Sequence, residues 1–279
     1  MSYELTGFET GGERKVAVVT GAGRMRSIGR PIALHLARAG CDVVITGTGR
    51  APETFPAEEQ AAGWRDIDEV ADEIRALGRR ALPIVTDVSD PNAVELLADR
   101  VHVEFGRVDI VVNNAAAGRS GDRVPVVDLE LDAWHKVLRV GLDGALYMSR
   151  TFAQRMVAAG RGGSIVNISS VGGKIGGAST AAYSAAKSGL HAVTSAMAKE
   201  LGASNIRVNA VCPGIIDTSR LDDIRAAGRW DQLVQSNIPL GRPGTGDDIA
   251  AAVVFLCSDQ GSWVTGQQWN VDGGQLTIR

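Results

Sequence analysis

The sequence has few cysteines, few aromatic residues, no excess of positive charge and no long apolar run. Its three cysteines, Cys41, Cys212 and Cys257, show no metal-type spacing, which argues against a disulfide framework. We interpret all three as small core residues without a redox or catalytic role. The 29 Lys and Arg residues against 32 Asp and Glu residues give a net charge of -3 and exclude the basic excess typical of nucleic-acid or membrane binding.

Two further absences concern targeting. No apolar run approaches the roughly 18 residues of a membrane span. The polar, acid-containing N-terminus has no apolar signal-peptide core. We therefore expect a cytoplasmic protein whose partners include neither nucleic acid nor a membrane.

What the sequence does contain is an alternation of apolar, β-branched runs with helical patterns. Most of the runs are continuous, as is typical of strands buried on both faces. They begin at Lys15, Asp42, Ala81, Val108, Gly163, Ile206 and Gln267. The alternation predicts an α/β fold: a single-domain, Rossmann-like, doubly wound parallel sheet of about seven strands flanked by helices.

No linker or composition break divides the chain. We expect residues 1–14 to form a loose N-terminal extension and residues 15–279 to form one Rossmann-type domain. Residues 48–66 contain two prolines and delay the helix that follows the second strand.

The first strand runs into a glycine-rich turn, TGAGRMRSIGR, at residues 20–30. Glycines let backbone approach phosphate groups, and the N-terminus of the following helix favours negative charge. Such a turn is also an ordinary strand–helix connection. Its place after the first strand of an alternating pattern favours a dinucleotide site.

A helix of small residues, STAAYSAAKSGLHAV at 179–193, carries two large polar side chains, Tyr183 and Lys187. Residues four apart lie on one face of a helix. An ammonium group close to a phenol favours the ionised phenol and so makes a weak acid into a usable proton donor. The alternative is a pair that satisfies ordinary hydrogen bonds.

Together with five other motifs, these two resemble the short-chain dehydrogenase/reductase family of the 3-oxoacyl reductase type, over residues 14–275. The motifs follow the family's order: the turn from Thr20, TDV at 86–88, NNAA at 113–116, Ser170, Tyr183 with Lys187, PGIIDT at 213–218 and VDGG at 271–274. The resemblance implies a catalytic domain with a nicotinamide dinucleotide and a substrate-loop segment at 217–245.

The resemblance also implies which residues contact the cofactor. They are Gly21, Arg24, Arg26, Ser27, Ile28, Gly29, Gly47, Thr48, Arg50, Asp87, Val88, Asn114, Ala115, Ala116, Tyr183, Lys187, Pro213, Gly214, Ile216 and Thr218. The turn departs from the family pattern TGxxxGxG, because two extra residues separate Gly21 from Gly29 and Ser27 takes the place of the middle glycine.

The choice between NAD and NADP depends on charge. In the family, an acid at the end of the second strand binds the adenosine ribose and favours NAD; here that position is Gly47. Arg24, Arg26 and Arg50 suit a 2′-phosphate, although they can also be solvated surface residues. We therefore predict that NADP(H) is favoured over NAD(H).

For catalysis, the resemblance implies Ser170, Tyr183 and Lys187. Tyr183 would be the general acid and base, Ser170 would hold the substrate oxygen, and Lys187 would favour the phenolate and bind the nicotinamide ribose. Ser169 is the rival serine, but the spacing to Tyr183 favours Ser170. No metal is expected.

One position departs from the family. Gly141 stands where the family has an Asn that holds a water between the lysine and solvent. The change could let water reach the backbone without an amide side chain, slow proton exchange, abolish activity or reflect drift at a tolerant helix position.

We expect the substrate pocket between Ser170, Tyr183, the loop 116–127 and the segment 217–240. Its candidate contacts are Val171, Ala178, Ile215 and Trp230. Arg119 and Arg123 could bind an acidic substrate, but we favour solvated loop arginines.

Three hypotheses follow. The leading one is an NADPH-dependent reductase of small-molecule carbonyls that also works in reverse on secondary alcohols. The second is a reductase of a related bond such as C=N, and the third is a dinucleotide-binding regulator that has lost turnover. By family resemblance we also expect a homotetramer, with interfaces around 132–158, 182–202 and the C-terminus.

Overall fold

The protein was analysed as a computed structural model, which describes residues 6–10, 12–119 and 121–277. Its centre is a parallel sheet with the strand order β5-β4-β3-β6-β7-β8-β9. The strands are β3 (Val16–Val19), β4 (Asp42–Gly47), β5 (Ala81–Val85), β6 (Ile110–Asn113), β7 (Gly163–Ile168), β8 (Ile206–Pro213) and β9 (Gln268–Val271). The prediction of a doubly wound parallel sheet of seven strands is confirmed.

Helices cover both faces of the sheet. They are α1 (Gly29–Arg38), α2 (Ala57–Ala61), α3 (Ile67–Ala76), α4 (Pro91–Phe105), α5 (Leu131–Leu138), α6 (Gly144–Ala159), α7 (Ala181–Leu201), α8 (Asp222–Ala226), α9 (Trp230–Asn237) and α10 (Gly246–Cys257). A π-helical turn, Arg139–Asp143, joins α5 to α6. In the segment 217–245, α8 and α9 are separate, and Gly228 lies between them with φ +67°.

Successive residues of β3 point to opposite faces of the sheet and so belong to two cores. Ala17 and Val19 pack with α1, α3 and α10 on one face. Val16 and Val18 pack with α4, α6 and α7 on the other. Because both faces are buried, every position of the strand is apolar, which is the continuous pattern seen in the sequence.

Local sequence signals set the helix ends. In α4, Asp90 accepts a hydrogen bond from the Asn92 amide, Pro91 occupies the first turn, and Gly106 ends the helix with φ +69°. In α10, Thr245 and Asp248 form a reciprocal capping box. These signals place the N-termini of the helices, and so the loops before them, at a fixed edge of the sheet.

The described part of the N-terminal extension packs against the domain. β1 (Glu9–Thr10) pairs with β2 (Glu13–Arg14) as a short antiparallel hairpin. Phe8 is 3% exposed and belongs to the core on the α1 side of the sheet. The expectation of a loose extension is therefore wrong for this part, because an aromatic side chain anchors it; residues 1–5 and 11 lie outside the described residues.

The three cysteines are free and buried, as predicted. Burial raises the pKa of all three thiols, that of Cys257 to about 11. Within the described ranges, no helix is long and apolar enough to cross a membrane.

We predict that Phe8→Ala lowers the free energy of unfolding by about 3 kcal/mol, because it leaves a cavity beneath the hairpin. Urea unfolding followed by circular dichroism measures the change. Phe8→Leu keeps most of the apolar volume and serves as the matched control, with a loss of about 1 kcal/mol. An unchanged midpoint for Phe8→Ala would show that the hairpin does not depend on this contact.

Candidate active site at the carboxyl edge of the sheet

A cavity of about 770 Å³ lies at the carboxyl ends of the strands. Its volume is in the range of small-molecule and cofactor sites. Most of the sequence-predicted cofactor residues line it: Gly21, Arg24, Arg26, Ser27, Ile28, Gly47, Thr48, Arg50, Asp87, Val88, Asn114, Ala115, Ala116, Tyr183, Lys187 and Thr218. The edge of the sheet therefore brings together residues that are far apart in the sequence.

Four predicted cofactor residues are not among those that line the cavity. Gly29 is buried at the start of α1, and Pro213 ends β8. A Cβ on Gly214 would lie 2.7 Å from the Asp272 Cβ. Ile216 pairs with Gly244 in an isolated parallel bridge, and its two hydrogen bonds join Gly244 to Ile215 and Asp217. The amide and carbonyl of Ile216 itself take part in neither of these bonds.

The glycine turn has the shape of a phosphate cradle. Gly21 has φ +66°, and a Cβ there would lie 2.8 Å from the Ala115 Cα, so only glycine fits. Asn114 holds the turn, because its Nδ2 donates to the carbonyls of Thr20 and Gly21 at 2.9 Å each. The Ser27 hydroxyl donates to the Arg24 carbonyl at 2.9 Å, which folds the lengthened part of the turn back on itself. The longer turn therefore keeps open space over backbone at the N-terminus of α1, which fits a diphosphate.

The segment 48–66 covers this turn from outside. Trp64 Nε1 donates to the Gly23 carbonyl at 2.6 Å. Glu59, whose side chain is fully buried, accepts from the Met25 amide at 2.9 Å. This segment, with its two prolines and delayed helix, thus forms one wall of the cavity.

The same segment brings an acid to the end of the second sheet strand. A Cβ on Gly47 would lie 3.8 Å from both carboxylate oxygens of Asp66, which lines the cavity. The premise that this place holds no acid is therefore wrong. Sequence reasoning missed Asp66 because it lies 19 residues after Gly47 and immediately before α3, where an aspartate ordinarily indicates a helix cap.

Two of the three arginines expected to bind a 2′-phosphate are already paired with carboxylates. Arg26 contacts Glu58 at 3.2 Å and also Asp217 and Asp222. Arg50 contacts Glu59 at 3.4 Å and Asp66 at 3.2 Å. Arg24 Nη1 donates to a neutral group, the Ser219 hydroxyl, at 3.5 Å.

At the other end of the cavity, α7 presents Tyr183 and Lys187 from consecutive turns. Lys187 is 4% exposed, and its Nζ donates to the Ile168 carbonyl at the end of β7 at 2.7 Å. That Nζ lies 6.0 Å from the centre of the Tyr183 ring. Burial, and to a lesser extent the nearby Arg220, lowers the pKa of Lys187 to about 7.

The two candidate serines have different surroundings. Ser169 is buried, donates to the Lys187 carbonyl and lies 2.7 Å from His191 Nε2. The Ser170 oxygen accepts from the Gly172 amide at 3.0 Å. A Cβ on Gly172 would touch both the Ser170 oxygen and the Tyr183 ring at 3.4 Å, so these two groups face the same point. The geometry favours Ser170 over Ser169 as the serine beside Tyr183, although Ser169 and not Ser170 lines the cavity.

Gly141 lies in the π-helical turn, Arg139–Asp143. The distortion of this helix therefore does not require an asparagine. A Cβ at Gly141 would lie 3.4 Å from the Ala186 Cβ, which is an ordinary contact. Space thus exists for a larger residue here, and nothing in the packing explains the glycine.

The substrate end of the cavity also contains arginines. Arg123 lies over the Tyr183 ring at 4.3 Å and is 23% exposed, so it is not the solvated residue that the sequence suggested. Arg220, 5.6 Å from the same ring, was missed because nothing in its sequence context distinguishes it from a surface arginine. Among the described residues, no cluster of three or more His, Cys, Asp or Glu side chains could hold a metal ion.

A family model described as enoyl-(acyl carrier protein) reductase matches residues 21–275. The chain is 35% identical to 2-dehydro-3-deoxy-D-gluconate 5-dehydrogenase of Escherichia coli, covering 95% of this chain and 96% of that one. It is 37% identical to cis-4-hydroxycyclohexanecarboxylate dehydrogenase of Sinomonas cyclohexanicum, covering 95% and 97%.

Solved structures are also similar to this chain over nearly its whole length. Carveol dehydrogenase from Mycobacterium avium in complex with NAD has a TM-score of 0.84 at 32% identity, with 97% of this chain and 99% of that chain covered. A structure from Agrobacterium tumefaciens with bound NADP has a TM-score of 0.80 at 35% identity, with 94% and 96% covered. Both nicotinamide dinucleotides thus occur among the similar structures.

The buried lysine predicts a pH-dependent stability. Between the folded pKa of about 7 and the ordinary value of 10.5, the unfolded chain binds more protons, so the free energy of unfolding rises with pH in this window. Lys187→Met removes the titrating group. We expect the free energy of unfolding of the variant, minus that of the natural protein, to fall by about 1–3 kcal/mol between about pH 6.5 and about pH 9.

Urea unfolding of the cofactor-free protein at both pH values measures this difference. Lys199→Met removes an exposed ammonium from the same helix and is the matched control, with an equal effect at both pH values. If the difference in free energy of unfolding between Lys187→Met and the natural protein does not change with pH, the assignment of a buried, readily neutralised ammonium is contradicted.

Proposed function

Because the chain belongs to the short-chain dehydrogenase/reductase family of oxidoreductases, we propose that it interconverts a carbonyl and a secondary alcohol on a small molecule. The observation that carries this proposal is the placement of Tyr183 and the buried Lys187 on one face of α7, beside a cavity that contains the glycine turn.

A nicotinamide dinucleotide bound in the cavity supplies the hydride in reduction and accepts it in oxidation. In reduction, Tyr183 donates its phenolic proton to the substrate oxygen; in oxidation, the phenolate takes that proton back. The Ser170 hydroxyl oxygen already accepts from the Gly172 amide, which leaves its hydrogen free to bind the same substrate oxygen. Lys187, held by the Ile168 carbonyl, is the fixed donor for the nicotinamide ribose.

For the cofactor we propose NAD(H), in place of the preference for NADP(H) predicted from the sequence. Asp66 stands where a carboxylate would accept hydrogen bonds from the adenosine ribose hydroxyls, and it would repel a 2′-phosphate. Arg50 does not offset this charge, because it is shared between Asp66 and the buried Glu59. NADP(H) remains the alternative, supported by Arg24, which has no carboxylate within ion-pair distance among the described residues.

Asp66→Asn is expected to raise the ratio of kcat/KM with NADPH to kcat/KM with NADH at least tenfold, because it removes the repulsion and frees Arg50 for the phosphate. Initial rates with both cofactors measure the ratio. Asp68→Asn, an exposed neighbour, is the matched control and leaves the ratio unchanged. A natural protein that already prefers NADPH, with no response to Asp66→Asn, would contradict the proposal.

Two other functions stay open. Reduction of a C=N bond uses the same groups and differs only in the substrate. A regulator that binds the dinucleotide without turnover rests on Gly141 alone, while Ser170, Tyr183 and Lys187 are all present. We favour the carbonyl reaction, which fits the two relatives whose names state a dehydrogenase activity on hydroxyl-bearing substrates.

Assembly and location are also proposals. Exposed apolar side chains on α6, Leu146 and Val157, support the homotetramer that the sequence predicts through this helix. We retain the cytoplasm as the proposed location.

Tyr183→Phe tests the proposed chemistry. The variant keeps the ring against which Arg123 packs, but it loses the proton donor, so kcat is expected to fall by roughly 10²–10⁴. Absorbance of the reduced nicotinamide over a panel of ketones measures the rate, and fluorescence titration shows whether the dinucleotide still binds. Tyr147→Phe, on α6 away from the cavity, is the matched control. Undiminished turnover by Tyr183→Phe would refute the mechanism, and dinucleotide binding without turnover by the natural protein would favour the regulator.

A further inference from the structure

The substrate end of the cavity is unusually cationic. The guanidinium carbons of Arg123 and Arg220 lie 4.3 Å and 5.6 Å from the centre of the Tyr183 ring. The ammonium of Lys187 lies 6.0 Å from the same point. Two guanidinium groups and one readily neutralised ammonium therefore lie close to the ring of the phenol that is proposed to act on the substrate.

These cations differ in how well they are neutralised. Arg123 Nε lies 3.2 Å from Asp122, but the alignment is too poor for a hydrogen bond. Arg220 Nη1 donates to the Ala117 carbonyl at 2.7 Å. Within the described ranges, no carboxylate lies within ion-pair distance of Arg220, although Arg119 nearby pairs with Asp223 at 3.0 Å. Arg220 is thus a partly buried cation that forms no ion pair with the described residues.

Electrostatic effects agree with this description. Burial lowers the pKa of the Arg220 guanidinium; Arg123 and Arg119 act in the same direction, whereas Tyr183 and Asp122 act against it. Burial also lowers the pKa of Arg123. A guanidinium nevertheless stays charged near neutral pH, and a carboxylate at this place would offset the cost of its burial more fully than the neutral Ala117 carbonyl does.

We propose that Arg123 and Arg220 bind a carboxylate carried by the substrate, so that the enzyme acts on hydroxy acids and the corresponding oxo acids. The guanidinium group matches a carboxylate in geometry as well as in charge. This inference rests on the proposed function, since it names the substrate class of the same site.

A phosphate of the dinucleotide is the competing anion. Arg24 and Arg26 belong to the glycine turn itself, and Ser219, which precedes Arg220, donates to the Arg26 carbonyl. The Arg220 side chain, however, donates to the Ala117 carbonyl and lies beside the ring of the phenol. The arrangement favours the substrate as the source of the anion, and the experiment below separates the two.

The test measures binding without turnover. Saturating NAD⁺ cannot reduce a ketone, so calorimetric titration of the NAD⁺ complex with 4-oxocyclohexanecarboxylate and with its uncharged carboxamide gives two dissociation constants. The same comparison is made for 4-oxopentanoate and its carboxamide. We expect at least one carboxylate to bind about ten- to hundredfold more tightly than its carboxamide, as charge-assisted hydrogen bonds require.

Variants assign the effect to residues. Arg220→Met and Arg123→Met should each reduce this preference at least fivefold while leaving carboxamide binding and NAD⁺ binding unchanged. Arg220→Lys should retain part of it. Arg225→Met removes a charge from α8 outside the cavity, where Arg225 pairs with Asp217, and should leave the preference intact. Because Arg220→Met removes an uncompensated charge, its melting temperature should not fall.

Two results would overturn the inference. One is the absence of any carboxylate preference in the natural protein. The other is a loss of NAD⁺ affinity in Arg220→Met with the preference unchanged, which would assign Arg220 to the dinucleotide. Hydride transfer from NADH to the same ketones is measured separately. Transfer to neutral ketones without a carboxylate preference would support the proposed function and contradict the inference. A carboxylate preference without any transfer would support the inference and contradict the proposed function.

Discussion

The hydrogen bond from Lys187 Nζ to the Ile168 carbonyl ties helix α7 to the end of strand β7. A buried ammonium must find acceptors, and the carbonyl at the end of a parallel strand provides one at the open edge of the sheet. Fixing Lys187 there also fixes Tyr183 one turn earlier on the helix. Ser170 follows β7 directly and meets Tyr183 around Gly172. This hydrogen bond thus joins the two elements that carry all three proposed catalytic residues.

The charges along the cavity differ at its two ends. At the adenosine end, the segment 48–66 brings Asp66 and Glu59 against Arg50, so the charge of Arg50 is not free for an extra phosphate. At the substrate end, Arg220 faces Tyr183 without a carboxylate partner among the described residues. This polarity suits a dinucleotide without a 2′-phosphate and a substrate with a negative charge. Lys187, at the substrate end, is easily neutralised because burial and, to a lesser extent, Arg220 act against its charge.

The sequence predicted the elements whose signals are local. Continuous apolar runs gave the seven strands, and the turn after β3 and the Tyr183–Lys187 spacing indicated the two halves of the cavity. Asp66 was not predictable in this way, because its position beside Gly47 depends on how the segment 48–66 folds back over the turn. Arg220 was missed for a similar reason: the sequence does not show which arginines lie inside a cavity. Phe8 was overlooked because it is a single apolar side chain within a short polar segment.

The central claim is that the ammonium of Lys187 and the phenol of Tyr183 form one site with a nicotinamide dinucleotide. A crystal structure of the protein grown with NAD⁺ tests this most directly. We expect the nicotinamide ribose hydroxyls within hydrogen-bonding distance of Lys187 Nζ and of the Tyr183 hydroxyl, with the adenosine ribose on Asp66. A bound dinucleotide whose nicotinamide half lies away from both side chains would contradict the account.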